Sequence, residues 1–309
     1  MTMLASNAPL IVYVPGLLPK PEASHHKRAL FRCLTAGIRR IDAAVADDIV
    51  AAGRSFDVVS WTFDFYRVHR DINLDSAAID TVISVPGPSD ADIQEASSWQ
   101  RRALRKLYHL VHRFPFLIPH LANGQIELHL RDLHRYSSNR NNIAEHTREM
   151  LKMSLRAAWK ANRPILLIGH SMGSVIAYDS LWQMSRDKRD DLSIDLFLTM
   201  GSPLGQSYIQ KHIMGHADSG AARYPDNIKR WINLAAVGDM TALDAQLRDD
   251  FSEMLELGQV ESIVDDCLFN YYWDDGKLNA HAEYGYLVNE KTAHIIASWW
   301  RTHRPGTRE

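Results

Sequence analysis

Apolar residues in this chain fall into two patterns that alternate along its length. The blocks Leu10-Ile11-Val12-Tyr13-Val14 and Pro164-Ile165-Leu166-Leu167-Ile168-Gly169 are short and have no charged interruption, as strands buried on both faces of a parallel sheet do. The first is stopped by Pro15-Gly16. Three more strands are predicted at Asp57-Val58-Val59-Ser60-Trp61-Thr62-Phe63, at Ile194 to Met200 and at Arg230 to Ala236. Between the blocks the spacing becomes helical. Ala29, Leu30, Cys33, Leu34, Ile38, Ile41 and Val45 mark a helix from about Lys27 to Val50, a second covers about Ile143 to Ala161, and Asn289 to Arg301 is the last. Strands alternating with helices imply right-handed crossovers, so the expected fold is α/β, a doubly wound, mainly parallel sheet in one domain over residues 1–309.

The interval from Phe63 to Pro164 is too long for one crossover and predicts an insertion at about 66–140 that acts as a helical cap or lid. Its first part, Asp75 to Asp92, contains Val85-Pro86-Gly87-Pro88 and reads as a surface loop. From Ile93 to Phe114 the apolar positions Ile93, Ala96, Trp99, Ala103, Leu104 and Leu107 follow helical spacing, with Arg101, Arg102, Arg105, Lys106 and Arg113 among them. The apolar run Phe114-Pro115-Phe116-Leu117-Ile118-Pro119 cannot continue that helix past its prolines. Two roles stay open for 93–119: a cap over a pocket, or peripheral contact with a membrane, which basic residues beside an apolar face would suit.

Charge narrows the partners. Lys plus Arg number 35 against 37 Asp plus Glu, a net charge of -2, which creates no general field for nucleic acid. Cys33 and Cys267 stand far apart and lack the spacing of a zinc or redox site, so both are expected as reduced thiols in the core of a cytoplasmic protein. The N-terminus has neither the basic nor the apolar segment of a secretion signal. No metal or cofactor is expected: His25-His26 and His129 with His134 lack ligand geometry, and no glycine-rich loop with lysine is present to hold phosphate.

The candidate chemistry starts at Gly169-His170-Ser171-Met172-Gly173, which follows the third strand and precedes the helical pattern Val175, Ile176, Tyr178, Leu181 and Trp182. A serine in such a strand-to-helix turn needs small residues two positions either side, because side chains there would strike the strand or the helix. In this setting the segment resembles the nucleophile elbow of the lipase and esterase branch of the α/β-hydrolase family. Thr199-Met200-Gly201-Ser202-Pro203-Leu204-Gly205 resembles a strand-end segment of its lipase-like members. The likeness extends from Leu10 to about Trp300, but this chain starts at the strand usually counted third and carries a long insertion.

The resemblance implies a serine nucleophile, an acid and a histidine in that chain order, with an oxyanion hole of two backbone N–H groups. His281 lies where the histidine loop of the family falls, and His281-Ala282-Glu283-Tyr284 resembles its His-x-x-Tyr. The rival, His294, sits inside the last helix beside Ile295 and Ile296. For the acid, Asp239 follows the fifth strand across Val237-Gly238, with Asp244 as the alternative; Asp239 could also cap a helix starting near Thr241. The oxyanion donors would be the N–H groups of Met172 and of Leu17, or of Gly16 in place of Leu17. The activity implied is cleavage of small or lipid-like carboxylic esters through an acyl-enzyme. An acyltransferase on the same triad, or a non-catalytic hydrolase-like binding protein, are the alternatives.

Overall fold

A computed structural model of the chain describes residues 8–101, 124–187, 191–242 and 244–304. Six strands, β1 (Leu10–Val14), β2 (Phe56–Val58), β3 (Ile165–His170), β4 (Leu196–Met200), β5 (Arg230–Ala236) and β6 (Ser262–Leu268), form one sheet in the order β2-β1-β3-β4-β5-β6. Every pairing is parallel, with Val14 opposite Gly169 and His170 opposite Met200. This is the doubly wound α/β fold of the α/β-hydrolase type.

Side-chain alternation along the central strands divides the core in two. Leu10, Val12, Val14, Ile165 and Leu167 enter one cluster, while Ile11, Tyr13, Leu166 and Ile168 enter the other. A strand with helices on both faces has no polar side, which is why β1 and β3 read as unbroken apolar runs. Helices α1 (Ala23–Ile41) and α2 (Ala43–Ala51) cover the second face. Next in the chain come α3 (Thr62–Tyr66), α4 (Asn73–Ser84), α5 (Asp90–Ala96), α6 (Gly124–Ser137), α7 (Ile143–Lys160) and α8 (Met172–Arg186), of which α7 and α8 cover the first. After the short α9 (Ser207–Gln210), α10 (Leu247–Asp250) and α11 (Ser252–Glu256), the second face is completed by α12 (Glu283–Val288) and α13 (Glu290–His303). Among the described residues no helix is long and apolar enough to cross a membrane.

Several expectations need correction. The helix placed at Lys27 to Val50 is two helices, broken at Asp42, whose backbone is extended and whose carboxylate accepts from Val45 N–H to start α2 while pairing with Arg301. The strand placed at 57–63 ends at Val58. Beyond it Val59 and Trp61 face the core while Phe63 is exposed, and Trp61 donates its indole N–H to the Pro15 carbonyl at 2.9 Å before α3 begins. The surface loop placed at 75–92 is mostly helix. Ile79 and Val82 bury one face of α4, and Ser89 with Asp92 forms a capping box that starts α5. The helix placed from Ile93 stops at Ala96, capped by Ser97, and resumes at 99–101; its remainder and Phe114 to Pro119 lie outside the described residues.

The edge strand β6 was not anticipated. Its Asp265 and Asp266 interrupt the apolar run and its Val264 is half-exposed, because the edge of the sheet is covered less completely than its centre. Cys267, expected in the core, is exposed on this strand; Cys33 is buried, and burial pushes its thiol up to about 12.

Parallel strands place all their C-terminal ends along one edge of the sheet. The chain leaves β1 toward β2 on one side and β3 lies on the other, so the winding direction changes between β1 and β3. A crevice outside the strand ends forms at such a point. The loops after β1 and β3, with Gly16 and Ser171, meet there.

Candidate active site

Ser171 joins β3 to α8 with φ 53° and ψ −127°, a conformation costly for a residue with a side chain. The surroundings impose it. A Cβ on Gly169 would lie 2.5 Å from Ser174 Cα, and one on Gly173 would lie 2.0 Å from the Val14 carbonyl oxygen and 2.7 Å from that of Pro15. The two glycines therefore let α8 lie directly on β3 and β1, and Ser171 N–H donates to the Met200 carbonyl at 2.9 Å. Gly173→Ala is expected to destabilise the protein by about 3 kcal/mol, the upper range for overpacking, since both colliding atoms are backbone. Urea unfolding measures it, and an unchanged midpoint would show that α8 can move off β1.

Asp239 follows β5 and is fully buried. Its Oδ2 accepts from His281 Nδ1 and from the Tyr286 hydroxyl, each at 2.8 Å, and its Oδ1 accepts from the N–H groups of Thr241 at 2.8 Å and Ala242 at 3.4 Å. Burial pushes the carboxyl up, but the neighbouring imidazole and these donors outweigh it and hold the group below the ordinary carboxylate value. Asp239 thus partners a histidine and caps the following turn, but the helix expected to start near Thr241 is not formed among the described residues, where the next, α10, starts at Leu247. Tyr286 was not anticipated in this place. Its hydroxyl also accepts from Ala236 N–H at 2.7 Å, which fixes the acid to the end of β5, whereas the buried hydroxyl of Tyr284 in the His-x-x-Tyr segment finds no partner among the described residues.

The rivals stand elsewhere. Asp244 accepts from Gln246 N–H in a local turn, and His294 is exposed on α13 beside Glu290 at 3.3 Å. His281 comes after a small hairpin, β7 (Trp273–Asp274) and β8 (Lys277–Leu278), turned by Asp275-Gly276 at φ 47° and 68°. Its loop is held by backbone contacts: Asn270 Nδ2 donates to the Ala280 and Ala282 carbonyls at 3.1 and 2.9 Å, and His281 N–H donates to Asn279 Oδ1 at 3.1 Å.

His170 is a further residue that sequence patterning did not single out, since it occupies a free position of the glycine-serine motif. Its Nε2 lies 2.9 Å from the His281 carbonyl oxygen and must donate there, and the two rings lie 4.7 Å apart. Burial, and then the adjacent His281, depress its pKa to about 3, so the ring is neutral. Ser171 Oγ and His281 are not hydrogen-bonded to one another among the described residues. In an unliganded hydrolase this bond is often long and tightens when substrate arrives.

The loop after β1 lies against the serine: a Cβ on Gly16 would fall 2.8 Å from Ser171 Cβ and 3.3 Å from Oγ. Leu17 follows, partly buried, and Leu18 N–H is already engaged with the Tyr66 hydroxyl at 3.1 Å, which donates in turn to buried Asp132 at 2.7 Å. Met172, at the start of α8, is buried directly after the serine. The loop backbone at Gly16 and the start of α8 at Met172 therefore both lie beside Ser171.

A family model described as lecithin:cholesterol acyltransferase matches residues 135–218. The matched segment runs from the end of α6 through α7, β3, the Ser171 turn and α8 to beyond β4, and it stops before Asp239 and His281. Over this length the chain is similar to a lipase-like family of the α/β-hydrolase type. Neither a curated protein nor a solved structure gives a significant match.

Proposed function

We propose that the chain is a serine hydrolase of carboxylic esters with lipid-like, apolar acyl groups, acting through an acyl-enzyme. One observation carries the reading: a serine in a strained strand-to-helix turn shares the strand-end edge of the sheet with a buried, hydrogen-bonded Asp239–His281 pair. With Nδ1–H of His281 bound to Asp239, Nε2 is the free base. It takes the Ser171 proton as Oγ attacks the ester carbonyl, and the N–H groups of Met172 and Leu17 receive the developing oxyanion. The imidazolium then protonates the leaving alcohol, and water repeats the sequence to release the acid.

The lipid-like substrate follows from two supports. The matched family model bears the name of an enzyme acting on a lipid acyl chain. The segments leaving β1 and β2 at the serine edge also expose large apolar side chains, among them Leu18, Phe63, Leu74 at 62% and Trp99 at 75%. In this reading the insertion at about 66–140 caps the acyl pocket and provides peripheral lipid contact through 93–119, of which 102–119 lie outside the described residues. An alcohol acceptor in place of water would make the same site an acyltransferase, which the name of the matched family favours.

A fluorophosphonate probe tests the proposal directly. It is expected to label wild-type protein at Ser171 and to leave Ser171→Ala unlabelled, because capture needs an activated hydroxyl. Absence of wild-type labelling would overturn the reading in favour of a binding protein. Adding a long-chain alcohol to the ester assay separates transfer from hydrolysis by the product formed.

A further inference from the structure

Glu283 lies at the start of α12, two residues after His281, and is almost wholly buried. Its Oε1 accepts from Lys20 Nζ at 2.9 Å and from His26 Nε2 at 3.0 Å, and its Oε2 accepts from the Tyr13 hydroxyl at 3.0 Å. Tyr13 belongs to β1, Lys20 to the loop that follows it and His26 to α1. Tyr13 and Lys20 therefore bracket Pro15-Gly16-Leu17, the stretch that lies against Ser171, while the carboxylate they share sits on the loop of the base.

We propose that Glu283 is a positioning residue which locks the His281 loop to the loop after β1, so that the base and the oxyanion donor keep a fixed spacing about Ser171. The inference rests on the hydrolase reading given above. It adds a role for a group that touches no reacting atom.

The physics requires the charge as well as the shape. A buried carboxylate is stable only when paired and hydrogen-bonded, and here three donors from three elements converge on it. Although burial opposes ionisation, Lys20 and His26 hold the group well below the ordinary carboxylate range. A neutral amide in its place would keep the volume but leave the Lys20 ammonium without its counter-charge and one donor facing an N–H. The loop after β1 would then be free to shift relative to His281. From the other side the His281 backbone is held through its carbonyl by His170 and through its N–H by Asn279.

The test uses Glu283→Gln, Lys20→Met and the double variant, with kcat and KM on a short p-nitrophenyl ester, the fraction of sites labelled by fluorophosphonate, and hydrogen exchange over residues 15–20 and 279–283. Glu283→Gln is expected to lower kcat per labelled site by about tenfold to a hundredfold with KM within about twofold, the size expected when catalytic groups are misplaced by an ångström or less. Exchange should rise in both segments. Lys20→Met should lower kcat less, and the double variant should be no slower than Glu283→Gln, because both remove one contact. A lower thermal midpoint with unchanged kcat per labelled site would overturn the proposal and leave a purely structural cluster. If Glu283→Gln does not fold, Lys20→Met carries the test, and its unchanged kcat and unchanged exchange at 279–283 would overturn it equally. Absence of Ser171 labelling in the wild type would be the failure of the hydrolase reading instead; hydrogen exchange would still report whether the two loops are coupled through Glu283.

Discussion

Ser171→Ala is expected to lower ester turnover by roughly 10⁴ to 10⁶-fold while leaving the fold in place. The size follows from the role: without Oγ no acyl-enzyme forms, and only the oxyanion donors and substrate binding remain to assist water. The stability follows from the turn, which is held by backbone. Its N–H bonds to Met200, its carbonyl accepts from Ser174 N–H at 2.9 Å and from the Ser174 hydroxyl at 2.6 Å, and the close packing of α8 at Gly169 and Gly173 does not involve the Ser171 side chain. Steady-state kinetics on a p-nitrophenyl ester and a thermal midpoint check the two halves. Turnover within tenfold of wild type would remove Ser171 from the reaction. Lost activity accompanied by unfolding would show that the hydroxyl contributes to the turn after all.

His281→Ala should be as damaging as loss of the serine, because a hydroxyl without a base is a poor nucleophile and the members of a triad act as a unit. Asp239→Asn should cost about 10⁴-fold, since an amide in that position favours the tautomer that takes the lone pair away from Ser171. His294→Ala should stay within about twofold, as an exposed i,i+4 pair with Glu290 contributes little. The comparison is decided by kcat/KM of the three variants measured beside a circular dichroism spectrum. Activity retained in His281→Ala and lost in His294→Ala would move the site onto α13, away from the strand ends.

Legibility of the chain in its sequence followed burial. β1 and β3 were readable because both faces of each are covered, so Leu10 to Val14 and Ile165 to Ile168 are continuous apolar runs. β6 was not, because an edge strand can carry Asp265 and Asp266 on partly exposed positions. The apolar residues after Val58 suggested a strand because a short apolar run has no period long enough to separate strand from turn. Asp42 broke a helix in the middle of an apolar pattern that continues across it, since the same stripe faces the core on both sides of the break. The loop expected before Asp92 was a misreading of Pro86 and Pro88, which interrupt only the short link between α4 and α5.

The sequence by itself determined which segments are buried strands, that Ser171 lies in a glycine-bracketed turn, and the order in which serine, acid and histidine candidates follow one another. These are local properties: strand and helix periods are fixed by backbone geometry, and the space around Ser171 is limited by residues two positions away. Only the tertiary structure decided that His281 is the histidine that meets Asp239, that Tyr286 and not Tyr284 supports Asp239, and that His170 bonds the His281 carbonyl. Tyr13 and Glu283 are separated by 270 positions, and Asp239 and His281 by 42. Contacts at such separations depend on strand order and loop closure, which leave no periodic trace in the residues that make them.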